Sequence, residues 1–205
     1  MPRTLATLLT LTAVLACMPE TGGEDADTAP PDAPDNQVVV LETSLGNITL
    51  DLFAGQSPET VKNFVAHVRS GFYDGLTFYR VIPGFMIQGG LLTPDLRERT
   101  TTAWPVANEA DNGLKNLRGT LAMARTGDAH SATTDFFINL VDNPTLDFKD
   151  KTPQGWGYAV FGEVTDGMDV VDAIAQVPTT RKRRFQDIPV VAVVIERAYV
   201  REAES

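Results

Sequence analysis

From about residue 37 onward the chain alternates between apolar and polar positions. Apolar side chains occupy every second position of Asn47–Phe53, and Gln37–Thr43 before it is rich in β-branched residues. This period of two predicts half-buried strands, and the Ser44–Asn47 segment between them predicts a hairpin turn. Similar segments predict further strands at Thr77–Ile82, Phe85–Gly89, Gly119–Ala124, Asp135–Leu140, Tyr158–Glu163 and Val190–Arg197.

Two segments have a helical spacing of apolar residues instead. Val61–Val68 places four apolar side chains on one helical face. Ser57 is a candidate N-cap, Pro58 stands at the first helical position, and Gly71 is placed to end the helix. A second helix is predicted at Met168–Gln176. Eight strands and two helices in one small domain predict a mainly β fold, a closed eight-stranded antiparallel barrel whose open ends are covered by the helices.

The first sixteen residues have the composition of an export signal. Arg3 is their only charged residue, and the twelve residues of Leu5–Ala16 are too few to span a bilayer, which takes about 20. The segment Val14–Cys17 is similar to the bacterial lipobox, in which the cysteine becomes the lipidated first residue. We therefore expect residues 1–16 to be a signal peptide and Cys17 to be lipidated. A plain signal peptide followed by an incidental cysteine is the alternative.

A lipidated Cys17 would place the protein in the bacterial cell envelope, anchored to a membrane. We expect the outer membrane, with the protein facing the periplasm. Residues 17–36 then follow as a tether, in which six acidic residues, several prolines and almost no apolar side chains predict disorder. Cys17 is the only cysteine, so the chain forms no internal disulfide.

The remaining residues, 37–205, are long enough for one domain. Removing Arg3 and the six acids of the tether from 17 basic and 27 acidic residues leaves a net charge of −5. A mildly acidic domain is a poor candidate for binding nucleic acid. The basic run Arg181–Arg184 is the exception, and it is either a solvated loop or a surface for acidic partners or phospholipid headgroups. We expect the domain to act as a monomer.

One arginine, Arg80, stands inside the dense apolar run of residues 78–90. Because a guanidinium is always charged, it is not buried alone: it either pairs or lines a groove where a ligand's polar group meets it. Phe136, Phe137 and Leu146 add large apolar side chains further along the chain. The sequence thus indicates an apolar pocket with one cation at its rim, which suits a proline ring and its amide bond.

Other chemistries find little support in the sequence. His67 falls on the first predicted helix and His130 in a loop, and neither has metal-ligand spacing around it. A hydrolase pairing of Ser131 with His67 lacks a nucleophile motif, and no glycine-rich phosphate loop is present. The sequence therefore predicts neither a metal nor a cofactor.

Several blocks of the chain resemble the cyclophilin family of peptidyl-prolyl cis–trans isomerases, particularly its exported bacterial branch. The similarity extends from about Val39 to about Val200. The blocks are 63–64, 71–73, the whole of 78–90, 108–114, 118–124, 136–139, 157–162 and 167–171. The resemblance implies an eight-stranded barrel with two helices, a binding groove on its outer face, and proline-containing polypeptides as partners.

The resemblance also implies roles for nine residues, and Asp135, which departs from the family pattern, is added to them as a tenth candidate. Arg80 would be the catalytic arginine, and Gln88 would orient it and bind substrate. The other substrate-binding residues would be Phe85, Met86, Phe137 and Leu146 around the proline ring, Tyr158 at the pocket edge, Ala124 and Arg125 through their backbone, and Asp135 near the arginine.

Three positions depart from the common family pattern. Tyr79 stands where many members have His, Asp135 where Gln usually precedes Phe-Phe, and Thr145 where an aromatic residue usually precedes Leu-Asp. Asp135 either pairs with Arg80 or lines the groove. Two functions follow: an isomerase acting on exported proteins, or a non-catalytic proline-binding or chaperone module that uses the same groove.

Overall fold

The computed structural model of the chain describes residues 37–201. The predictions of a signal peptide, of lipidation at Cys17 and of an acidic tether concern residues 1–36 and lie outside the described residues. The strands are β1 (Gln37–Thr43), β2 (Gly46–Leu52), β3 (Thr77–Ile82), β4 (Met86–Gly89), β5 (Thr120–Met123), β6 (Phe136–Asn139), β7 (Val160–Asp166), β8 (Thr179–Lys182), β9 (Phe185–Pro189) and β10 (Val193–Arg201). The α-helices are α1 (Pro58–Arg69) and α2 (Met168–Ala175).

Eight of these strands close into an antiparallel barrel, in the order β1, β10, β3, β4, β6, β5, β7, β2. Apolar side chains fill its interior, and both helices pack on this core, α1 through residues such as Phe64 and Val65 and α2 through Val171 and Ile174. The predicted mainly β fold, a closed eight-stranded antiparallel barrel with two helices, is confirmed. Within the described part of the chain, no helix has the length and apolar character needed to cross a membrane.

The start of α1 is capped by a distant residue. Ser57, the predicted N-cap, donates its hydroxyl to the Val160 carbonyl at 2.8 Å, so its side chain does not cap the amides of the first helical turn. Glu109 takes the capping role, accepting hydrogen bonds from the amides of Glu59 and Thr60 at 3.2 and 2.9 Å. A carboxylate also suits the positive end of the helix dipole. The contact ties the long segment before β5 to the helix.

Loss of the distant cap should destabilise the domain measurably. We expect Glu109→Ala to lower the free energy of unfolding by about 1 kcal/mol, as replacement of a helix cap usually does. Urea denaturation would measure this, with Glu196→Ala on the exposed side of β10 as the control. A Glu109→Ala protein as stable as the control would show that water satisfies these amides equally well.

The basic run belongs to a hairpin that the sequence pattern did not predict. The first two residues of the run, Arg181 and Lys182, lie in β8, and Arg183 and Arg184 form the turn of the two-stranded β8–β9 sheet. Whether the run binds acidic partners or phospholipid headgroups stays a prediction. All four residues of β8 are exposed, so no buried face leaves a period of two in the sequence. Arg184 forms an ion pair with Glu98, and Phe185 packs beside Tyr79 with 6.5 Å between the ring centroids.

Candidate active site

Four neighbouring strands contribute two rows of paired residues, one pointing into the barrel and one pointing outward. The rows run across β3, β4, β6 and β5. The inner row is Val81, Ile87, Ile138 and Leu121, and the outer row is Arg80, Gln88, Phe137 and Ala122. The inner row belongs to the main core, whereas Phe137 and Ala122 belong to a separate outer cluster. Because successive strand residues point to opposite faces, the outer row forms the floor of an external groove.

A slip in strand register at Tyr79 directs Arg80 outward. Phe78 pairs with Gly89 and Arg80 pairs with Gln88, so β3 has one residue more than β4 over this stretch. In a regular strand, Phe78 and Arg80 are two positions apart and would therefore point to the same face of the sheet. With the extra residue, Phe78 is fully buried in the barrel core while Arg80 is half-buried on the outer face. The irregularity acts as a β-bulge, which re-aims a side chain next to a site.

A cavity of about 120 Å³ lies over the outer row. Its lining residues are Arg80, Phe85, Met86, Gln88, Ala124, Arg125, Phe137, Leu146 and Tyr158. The structure therefore brings together nine of the ten residues that the sequence analysis singled out. Their individual roles stay predictions, but their shared position is a structural fact. Six of the nine lining residues have apolar or aromatic side chains, and Arg80, Gln88 and Arg125 supply polar groups.

The Arg80 guanidinium is held by one side chain. Its Nη1 donates to Oε1 of Gln88 at 3.1 Å. Among residues 37–201 no carboxylate oxygen forms an ion pair with it, in contrast to Arg118, which pairs with Asp172 at 2.8 Å. The remaining guanidinium N–H groups are thus open to a ligand in the cavity.

Asp135 is the one predicted substrate-binding residue that does not line the cavity. Its Oδ2 accepts hydrogen bonds from the Tyr79 hydroxyl and from the Gln88 side-chain amide, both at 2.6 Å. Gln88 therefore stands between Asp135 and Arg80, donating to one and accepting from the other. Asp135 thus neither forms a direct ion pair with Arg80 nor lines this cavity, because the Gln88 side chain lies between them. Its role in substrate binding stays a prediction.

The position of Asp135 changes its acidity. Burial raises the pKa of Asp135 from its usual 3.8 to about 7, against the lowering effects of the hydrogen bonds from Tyr79 and Gln88 and of the Arg80 charge. Burial and the nearby Asp135 charge raise the pKa of Tyr79 well above its ordinary value. Tyr79 consequently remains a hydrogen-bond donor at any ordinary pH.

Arg125 shapes the opposite wall with its side chain. Its Nε donates to the Gly157 carbonyl at 2.8 Å, and its guanidinium carbon lies 4.7 Å from the centre of the Tyr158 ring. The Tyr158 ring in turn meets Phe137 edge to face, with 5.6 Å between centroids. Backbone contacts were predicted for Arg125; its side chain also contributes, because its stacking on Tyr158 holds the edge of the pocket in place.

Two asparagines, Asn139 and Asn143, connect segments that line the groove, and neither was predicted as a site residue. Asn143 donates to the Phe85 carbonyl at 3.0 Å and to Oδ1 of Asn139 at 2.7 Å. Asn143 also precedes the 3₁₀ turn Pro144–Leu146, which carries Leu146 into the cavity lining. The available sequence signal was a polar residue, Asn139, at the end of an otherwise apolar strand, and the structure shows that Asn139 is fully buried.

The alternative chemistries find no geometric support in the described residues. His67 has Nδ1 at 2.8 Å from the Asn63 carbonyl and Nε2 at 2.9 Å from the Thr101 hydroxyl. Ser131 donates to the Asp128 carbonyl instead of meeting His67. Within residues 37–201 no three His, Cys, Asp or Glu side chains are grouped as a metal site would require.

Known proteins are similar to this chain in sequence and in fold. Residues 38–200 match the family model for the cyclophilin type peptidyl-prolyl cis-trans isomerase/CLD. The chain is 59% identical over 162 residues to peptidyl-prolyl cis-trans isomerase cyp18 of Streptomyces antibioticus, a match that covers 79% of this chain and 97% of the relative. It is 53% identical over 165 residues to peptidyl-prolyl cis-trans isomerase B of Escherichia coli, covering 80% and 100% of the two chains.

A solved structure agrees with the sequence relatives. The cyclophilin type isomerase of Cryptosporidium parvum, crystallised in the presence of the dipeptide Ala-Pro, superposes with a TM-score of 0.68 at 26% identity. The match covers 82% of this chain and all of the other. The barrel, the outer groove and these similarities lead to one conclusion: the chain belongs to the cyclophilin-type peptidyl-prolyl cis–trans isomerase family.

Proposed function

We propose that this isomerase accelerates rotation about X–Pro bonds in exported polypeptides, with Arg80 stabilising the twisted transition state. The observation that carries the proposal is an arginine that has no carboxylate ion-pair partner among residues 37–201 and is held by Gln88 in a cavity with six apolar or aromatic lining residues. The cavity would hold the proline ring, and the guanidinium would meet the amide. The presence of Ala-Pro in the crystals of the C. parvum relative supports a proline peptide as the ligand.

The chemistry of the peptide bond explains why an arginine suits this task. Amide resonance opposes rotation with a barrier of about 18–20 kcal/mol, and X–Pro bonds exchange over roughly 10–100 s. In the twisted state resonance is lost, and the proline nitrogen regains a lone pair that can accept a hydrogen bond. A guanidinium N–H beside that nitrogen therefore binds the transition state better than either planar ground state.

The pocket residues have a second task in this mechanism. Met86, Phe137 and Leu146 would hold the ring still while the preceding carbonyl swings around the bond. Phe137 and Met86 are almost fully buried, so their side chains have little freedom to follow the substrate. A rigid site keeps the arginine and the nitrogen aligned. The mechanism needs no proton transfer and no covalent intermediate.

A direct isomerisation assay tests the proposed function. Purified protein should accelerate cis–trans exchange of an Ala-Pro peptide, with a rate that rises in proportion to the enzyme concentration. The assay should run without a helper protease, so that cleavage of the enzyme does not mask its activity. Binding of the peptide without any acceleration would instead support the non-catalytic binding or chaperone module.

We further propose that the enzyme is held at the cell envelope, on the outer membrane and facing the periplasm, through a lipid on Cys17. The support is the lipobox-like Val14–Cys17 and the export-signal composition before it. In a bacterial host, the full-length protein should partition into detergent, and Cys17→Ser should not, because several acyl chains anchor a protein stably. Wild-type protein that stays in the aqueous phase, cleaved at another residue, would contradict the anchor.

A further inference from the structure

Tyr79, Gln88 and Asp135 form a closed triangle of hydrogen bonds behind Arg80. The Tyr79 hydroxyl donates to Oδ2 of Asp135 at 2.6 Å. The Gln88 amide nitrogen donates to the same oxygen at 2.6 Å and to the Tyr79 hydroxyl at 2.7 Å. Both amide hydrogens of Gln88 are thus used on this side, and its Oε1 is left for Arg80 at 3.1 Å.

The triangle permits only one orientation of the Gln88 amide. An ionised carboxylate accepts hydrogen bonds and donates none, so the nitrogen end of the amide must face Asp135. The oxygen end then faces Arg80, which has only donors. A flipped amide would place its oxygen against the carboxylate and its N–H groups against the guanidinium, which is unfavourable at both ends.

We propose that Asp135 is a positioning residue whose carboxylate, together with Tyr79, holds Gln88 in the orientation that presents Oε1 to Arg80. The inference rests on the role of Arg80 proposed above and extends it to two positions where this chain departs from the common family pattern. Tyr79 and Asp135 act as a pair, since each is the hydrogen-bond partner of the other. Neither side chain lines the cavity.

The β8–β9 hairpin shields the triangle on the side away from the groove. Tyr79 is buried in a small apolar cluster with Leu92 and Ile188, and Phe185 packs against that cluster. Oδ1 of Asp135 is likewise buried and has no hydrogen-bond partner within residues 37–201. The Tyr79 side of the triangle is therefore enclosed by protein, whereas the half-buried Gln88 also lines the cavity.

Titration of Asp135 should release this constraint. The charged and titratable groups around it are Tyr79 and Arg80 on β3, Tyr73 before that strand, and Glu98 after β4, whose charge acts on Tyr79. Burial raises the pKa of Asp135 to about 7. A protonated carboxyl can donate to Oε1 of Gln88 and favour the flipped amide, which turns N–H groups toward Arg80.

Nuclear magnetic resonance can follow the constraint without turnover. In the full-length protein, the side-chain signals of Gln88 and the Nε–H signal of Arg80 should shift together between about pH 5 and about pH 9, with a midpoint near 7. In Asp135→Asn neither signal should titrate with that midpoint. If the Arg80 Nε–H signal does not shift as Asp135 titrates, the inference is overturned, even if the protein is an active isomerase.

Kinetics give the second readout. At about pH 8, Asp135→Asn should lower kcat/KM roughly 3- to 10-fold, because a neutral amide no longer selects one orientation of Gln88. Wild-type kcat/KM should fall as the pH drops below 7, and the variant should lose this dependence. The exposed Asp169→Asn serves as the control and should behave as wild type. An Asp135→Asn enzyme with the wild-type rate and pH profile would overturn the inference.

Stability separates positioning from a merely structural role. A carboxyl group with a raised pKa binds its proton more tightly in the folded state. Its contribution to stability is therefore fully present below pH 3.8 and is lost as the pH rises toward 7. Asp135→Asn should lack this pH dependence and should melt no lower than wild type at about pH 8, where wild type carries the ionised carboxylate. A variant that melts well below wild type at that pH and regains its rate when cooled would assign Asp135 to stability alone.

Discussion

Phe136→Ala should destabilise the domain more than any other substitution considered for this chain, by about 3–5 kcal/mol. Phe136 is fully buried, and its ring meets those of Phe64, Tyr73 and Phe78 edge to face, with centroids 5.4, 5.5 and 6.0 Å away. Truncation leaves a cavity that these rings cannot fill by small movements. The melting temperature should fall by roughly 6–20 °C, which calorimetry would measure.

The neighbouring Phe137→Ala provides the matched control. Phe137 is adjacent in the chain but lies in the outer cluster and lines the cavity, so one side of its ring faces no packed core. Its loss should cost less stability but lower kcat/KM by roughly 10-fold or more, since a buried aromatic contact with the proline ring is worth about 1.5–3 kcal/mol. If both substitutions destabilise the domain equally and folded Phe137→Ala keeps full activity, the assignment of Phe136 to the core and Phe137 to the groove is contradicted.

Arg80→Ala should remove most of the isomerase activity while the domain stays folded. A charged hydrogen bond made chiefly in the transition state is worth about 2–4 kcal/mol, so kcat/KM should fall by about 30- to 1000-fold. The side chain is half-buried and forms no ion pair with a carboxylate in the described part of the chain, so its removal breaks no salt bridge. The nearby Asp135 loses the positive charge that lowers its pKa, and the thermal melt reports the effect of that loss on stability. The isomerisation assay and a thermal melt on the same sample would measure both effects.

Two further arginine variants sharpen this test. Arg80→Lys should recover only part of the rate, because an ammonium lacks the planar fork of donors and is more strongly hydrated. Arg97→Ala removes an exposed arginine outside the groove, which pairs with Asp95 at 2.7 Å, and it should leave the rate unchanged. Equal loss in the Arg80 and Arg97 variants would point to overall charge and not to a placed guanidinium.

The barrel could be predicted because most of its strands bury one face. Buried residues on one side of β2, for example, leave the period of two at Ile48, Leu50 and Leu52. The β8–β9 hairpin has no such signal, since β8 is exposed on both faces. The last strand was expected from Val190, but Val190 and Val191 are exposed apolar residues, and β10 begins only at Val193.

The cavity lining could be predicted from a few local blocks, but the contacts behind it could not. Tyr79 and Asp135 are 56 positions apart, and their hydrogen bond depends on how β3 and β6 are placed around β4. The same holds for Glu109, which caps a helix some 50 positions earlier. Local sequence patterns indicate burial and backbone conformation. These polar side chains, in contrast, come within hydrogen-bonding distance only when the chain has folded into the barrel.

The central claim is that Arg80 binds the twisted amide in preference to the planar one. Exchange spectroscopy on an Ala-Pro peptide, with wild type and Arg80→Ala in turn, yields the dissociation constant and the catalysed exchange rate from one sample. We predict that the exchange rate is lower by at least about 30-fold in the variant, while the dissociation constant changes by less than about threefold. An unchanged rate, or a loss of peptide binding as large as the loss of rate, would contradict it.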